Sequence, residues 1–145
     1  MSSFLNELTQ APDLQTALAR ILKELGADSG SIHLMGEDGK LHLAAASGIP
    51  EAVLDIVRVV PVGKGMAGLA AERRQPVTAC NIQTDQSGDV RPGARATNLQ
   101  GAIALPMLDA DRLAGVLGVA NYRERTFSSE EIETLLAAGR VLARR

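Results

Sequence analysis

Four features of this 145-residue chain have residue types and spacings that could do chemistry. Cys80 is the single thiol, a candidate nucleophile or redox centre. Alone it can form no internal disulfide, so turnover through it needs an external thiol. His33 and His42 flank a hairpin and are candidate metal or haem ligands, against a plain solvated or helix-covered role. The stretch from Ile82 to Asn98 holds Asp85, Asp89, Arg91, Arg95, Thr97 and Asn98 with no clear period. Its two arginines could grip a ligand carboxylate or phosphate bidentately, or pair with the loop's own aspartates. Irregular segments of this length in a small domain are often functional. Finally, Gly63, Gly65 and Gly68 are spaced as G-x-G-x-x-G.

The elements around each feature narrow these readings. A dinucleotide fold needs a buried strand, the glycine turn, a long crossover helix and an acidic residue on the next strand. Here Pro61 stands just before the turn, and the helical pattern after Gly68 lasts about two turns. No Gly-Lys-Ser/Thr ends the motif, which excludes a Walker phosphate loop. The glycines therefore read as structural. Gly63 and Gly65 permit positive φ, and Gly68 with Ala67, Ala70 and Ala71 lets the helix approach the sheet.

Asp38-Gly39 between alternating runs is a hairpin signal. As a two-residue turn it pairs Met35 with His42 and His33 with Ala44, placing both histidines on one face about 7–8 Å apart. No third ligand is near, whereas metal sites use three or four.

Leu14, Ala17, Leu18, Ile21, Leu22 and Leu25 follow helical spacing, with Asp13 as N-cap and Gly26 as stop. Phe4, Leu5 and Leu8 add a turn or two upstream, interrupted near Pro12. Short helices are predicted over 50–57 and 66–74, and strands over 58–62, 77–80, 101–108 and 113–121. Ser128 and Glu131 form a capping box that opens a last helix. Two hairpins and helices at both ends make the chain α+β, with an antiparallel sheet.

Composition excludes several classes. Aromatic residues are 2% of the chain and net charge is −2, so neither a stacking platform nor a basic face for nucleic acid is present. No apolar run is long enough to span a membrane. The start, MSSFLNELTQ, lacks a signal-peptide pattern, and one cysteine suits a reducing, cytoplasmic setting. No metal site and no firm cofactor is predicted.

The segment Val60-Pro61-Val62-Gly63-Lys64-Gly65-Met66-Ala67-Gly68, then Ala70-Ala71-Glu72 and Gln75-Pro76-Val77, resembles the strand–turn–helix signature of GAF domains. Ser31–Met35 with Gly39–Leu43 is similar to that family's opening hairpin, and Ala46–Pro50 to its exit. Ala104–Met107 and Gly115–Val119 resemble its late strands, and Phe127–Glu131 the start of its closing helix.

The resemblance covers nearly the whole chain as one domain, 1–145, with terminal helices about 3–25 and 128–144. It implies a six-stranded antiparallel sheet with those helices on one face. Short helices and loops enclosing a pocket would cover the other. It also implies a sensing or dimerising regulatory module, a small-molecule ligand, and a separate effector protein.

Candidate pocket residues are Met66, Leu69, Cys80, Asn81, Asp85, Arg91, Arg95, Asn98, Ile103 and Leu105. Phe4, Leu5, Leu8 and Val141 look like surplus apolar surface for a homodimer. Two alternatives stay open: a free-methionine-sulfoxide type reductase using Cys80, or a structural dimer with a collapsed pocket. Reductases of this fold use several cysteines, whereas this chain has one. The cyclic-nucleotide motif has no match around Asn121-Tyr122-Arg123, and no bilin-type cysteine with a neighbouring histidine is present.

Overall fold

Apolar stripes at helical spacing give α1 (Ser3–Gln10) and α2 (Leu14–Leu25) in the computed structural model, which describes residues 3–90 and 97–145. Asp13 caps α2 by accepting from the Thr16 amide at 2.8 Å, and Gly26 closes it in the left-handed conformation. There follow β1 (Ser29–Met35), β2 (Lys40–Ser47), α3 (Glu51–Val57), β3 (Val59–Pro61), α4 (Gly65–Arg73) and β4 (Val77–Ala79). After the irregular segment come β5 (Ala102–Asp109), β6 (Arg112–Ala120) and α5 (Ser129–Ala143). The capping box at Ser128 and Glu131 is formed as read from the sequence.

The sheet has six strands in the order β3-β2-β1-β6-β5-β4, and every pairing is antiparallel. Alternation along the central strands separates two cores. Ile32, Ile103, Leu105, Met107 and Leu117 pack under α1, α2 and α5. On the other face, Leu41, Val77, Ala104 and Val116 pack against α4. No helix among the described residues is long and apolar enough to cross a membrane.

Two expectations are corrected by packing. Phe4 and Leu8 are not surplus surface: they are 4% and 0% exposed, inside the helix-side core, with Leu5 and Val141 partly covered against it. The Arg145 guanidinium fixes α1 there, donating at 2.7 Å to the carbonyls of Leu8 and Ala11.

The first hairpin is also shifted by one residue. Its loop is Glu37-Asp38-Gly39, three residues, with Gly39 at φ 76° and the Gly36 amide donating to the Lys40 carbonyl. Met35 therefore pairs with Leu41 and Leu34 with His42. A one-residue shift reverses the faces. His33 points to the α4 side, and His42 lies on the opposite face, where Asp38 holds it at 3.0 Å. The two histidines cannot share a ligand.

Candidate functional site

The face of the sheet turned toward α4 is paved with small side chains. Ser29 and Ser31 of β1 stand opposite Ala120 and Gly118 of β6, which in turn stand opposite Ala102 and Ala104 of β5. Large residues occupy the alternate positions and point to the terminal helices. The short side chains leave a cavity of about 300 Å3 between this floor and the elements above it. Its walls are Val53, Ile56 and Val57 of α3, Val60 of β3, and Met66 and Ala67 at the start of α4. Ile82, Val90, Thr97 and Leu99 close it from the irregular segment.

The chain turns into α4 through the glycine motif. Gly63 and Gly65 take φ of 91° and 68°. The Gly63 amide donates to the Gly68 carbonyl at 2.8 Å, folding the turn back onto the helix. A Cβ on Gly68 would stand 2.4 Å from the Pro61 carbonyl oxygen. These glycines shape a backbone corner that sets Met66 and Ala67 against the cavity.

The predicted pocket residues separate into groups. Met66 lines the cavity. Leu69 packs into the core beside it instead. Ile103 borders the cavity, yet its side chain belongs to the helix-side core, as does that of Leu105. From β5, Ala102 and Ala104 line the cavity together with Ile103, and Leu105 does not. Among the described residues the irregular segment closes the site with Ile82, Val90, Thr97 and Leu99, and Asn81, Asp85 and Asn98 are not in the lining. Asn81 accepts from the Gln83 amide, Asp85 from the Ser87 amide, and exposed Asn98 sits at φ 64°. Arg91 and Arg95 lie outside the described residues. Asp89 pairs with Arg73 of α4 and so ties the segment to the helix at 3.1 Å.

Cys80 is exposed and lies outside the cavity lining. Its Sγ contacts Glu124 at 3.9 Å and Thr126 at 3.7 Å. Among the described residues no three His, Cys, Asp or Glu side chains gather to hold a metal ion.

One polar group in the wall was not singled out from the sequence as a pocket residue. His33 lines the cavity and is 3% exposed. Its Nε2 lies 2.8 Å from the Val57 carbonyl oxygen, which can only accept, so Nε2 carries the proton. Nδ1 is then a bare acceptor, buried and without a partner. Such a group costs about 1–3 kcal/mol when left unpaired. The signal was present in the sequence: Ser29, Ser31 and His33 form a period-2 polar stripe on a strand whose other face is apolar.

Burial pushes the His33 imidazole below its usual 6.5; the Val57 bond works the other way, and His42 adds to the lowering. The folded protein thus keeps His33 neutral to a lower pH than the unfolded chain, which protonates it below about 6.5. The corresponding stability is complete above 6.5 and is lost as pH falls toward the depressed folded value. Urea midpoints at pH 7.5 and 5.5 should show the wild type losing stability on acidification, by up to about 1.4 kcal/mol per pH unit. His33→Gln should flatten that slope.

A family model for the GAF domain matches residues 11–144. The chain belongs to the GAF domain family. Solved structures agree in fold. The GAF domain of a phosphoenolpyruvate-protein phosphotransferase from Coxiella burnetii is 24% identical with a TM-score of 0.80, over 98% of this chain and 87% of that one. The corresponding Acinetobacter domain is 20% identical with a TM-score of 0.79, over 98% and 87%. Free methionine-R-sulfoxide reductase from Neisseria meningitidis, solved with its substrate, is 18% identical with a TM-score of 0.77, over 97% and 82%. At these identities the likeness shows the fold, which GAF domains of signalling proteins share with reductases. No curated protein matches the chain.

Proposed function

We propose that this GAF domain is a non-catalytic sensor that binds a small molecule in the cavity between the sheet and α3–α4 and passes its occupancy to a regulatory partner. The cavity carries the reading: it is apolar over most of its wall, and its described lining contains no thiol or carboxylate to act as nucleophile or base. A reducing, cytoplasmic setting suits its lone unpaired thiol. A second copy docking on the terminal helices would have to use Leu5 and Val141, since Phe4 and Leu8 are already covered.

Ala102→Leu tests the reading, because it adds apolar volume at the cavity floor. The fold should be retained, with stability unchanged or raised by about 1–2 kcal/mol from the added burial. Ligand carried through purification, read by native mass spectrometry, should be lost. A ligand that stays bound in Ala102→Leu would place its site elsewhere.

The rival reading is a reductase working through Cys80. Assays with free methionine sulfoxide and excess dithiol should give no turnover, and Cys80→Ser should change nothing. Turnover abolished by that substitution would establish the enzyme.

A further inference from the structure

We infer that His33 is the recognition residue of the cavity, accepting a hydrogen bond at Nδ1 from an uncharged, largely apolar ligand about the size of two fused rings. The inference rests on the sensor reading and adds the class of ligand. His33 is held in one tautomer by the Val57 carbonyl, so the acceptor is fixed before any ligand arrives. Its ring forms part of the wall, and Nδ1 has no partner. Ser29 and Ser31 precede it on the same face, and neither hydroxyl bonds to another described residue. They offer further, rotatable polar contacts along the floor.

No Lys, Arg, Asp or Glu lies in the described lining, so none of the described wall residues would pair with a charge on the ligand. The volume of about 300 Å3 is about twice that of an engineered apolar cavity that holds benzene. A bicyclic molecule with one hydrogen-bond donor matches both size and chemistry.

Three probes separate the terms. Indole has an apolar bicyclic frame with one N–H, benzothiophene has a similar frame without a donor, and indole-3-carboxylate adds a charge. With the purified full chain, indole should bind about tenfold tighter than benzothiophene, the gain from pairing a buried acceptor that is unpaired in the free protein. The carboxylate should bind weakest. Indole should also move the 15N resonance of His33 Nδ1, a readout that needs no variant and survives any misfolding of His33→Phe. Where His33→Phe folds, the ratio of the two neutral affinities should fall to about one.

Xenon, which enters open apolar cavities whatever their polar groups, provides the control. If 129Xe NMR shows no entry and no probe binds, the sensor reading itself fails. The inference alone is overturned, with the cavity standing, if xenon enters and indole does not bind. Equal binding of benzothiophene, tightest binding of the carboxylate, or an unmoved Nδ1 resonance would overturn it equally.

Discussion

Gly68→Ala should lower the folding stability by about 3 kcal/mol or more, placing it in the exceptional tail of point substitutions. Helix propensity alone predicts the opposite sign, since alanine in a helix interior is favoured over glycine by about 1 kcal/mol. The contact decides. A Cβ at position 68 would sit 2.4 Å from the Pro61 carbonyl oxygen and 3.1 Å from the Gly63 amide nitrogen, both backbone atoms. No rotamer relieves either approach, so β3 and α4 must separate. That movement also breaks the bond from the Gly63 amide to the Gly68 carbonyl and displaces Met66 and Ala67 from the cavity wall. Gly39→Ala is the matched control. Gly39 has φ of 76° but nothing within 4 Å of an added Cβ, so strain there should cost only about 1–2 kcal/mol. Urea midpoints for both variants check the pair. A midpoint raised in Gly68→Ala would show that the motif's last glycine is not required by packing.

The legibility of this fold followed the range of each signal. Caps and periods are local: Asp13, Gly26 and the Ser128–Glu131 box lie where the sequence puts them, and so do all six strands. Register is less local. The hairpin loop could be drawn with two residues or three, and the choice decides whether His42 shares the face of His33. In β5 the run Ala102-Ile103-Ala104-Leu105 alternates small and large, yet it does not say which side is the thicker core. Three helices cover one face, so the large residues go there and the small ones floor the cavity. Phe4 and Leu8 look like surplus surface in the sequence for the same reason. Their burial depends on α5, more than a hundred residues away, and on Arg145 tying down the end of α1. The irregular segment advertises its charged residues, whereas among those described Ile82, Val90, Thr97 and Leu99 close the site.

Arg125→Leu is the second large loss expected, about 3–5 kcal/mol, because it breaks a buried charge network from its centre. The Arg125 side chain is 8% exposed. Nη1 donates to Asn121 Oδ1 at 2.7 Å, and Nη2 donates to the Leu25 carbonyl at 2.8 Å and to Glu131. The guanidinium also stacks on Phe127, 4.4 Å from the ring centroid. Asn121 extends the network, donating to the Gly26 carbonyl at 2.9 Å and to Asp28 at 3.1 Å. One side chain thus joins the end of α2, the end of β6 and the start of α5. Its charge sits against the carbonyl end of α2, and Glu131 sits in the first turn of α5, so both helix dipoles are complemented.

Removing the arginine leaves the Leu25 carbonyl and the Asn121 amide oxygen without this donor. Arg125→Lys should recover only part of the loss, since an ammonium cannot span three acceptors in a plane. Glu131 supplies the pH test. Its carboxyl is held below the usual 4.5, first by the Ser128 amide and then by Arg125. A carboxyl with a lowered folded pKa stabilises above 4.5 and loses that contribution as pH falls through the folded value. The deficit of Arg125→Leu should therefore shrink between pH 7 and pH 3, measured as the difference in urea midpoint from wild type. An undiminished deficit at pH 3 would assign the whole effect to the carbonyl bonds and the Phe127 contact, and none to the ion pair.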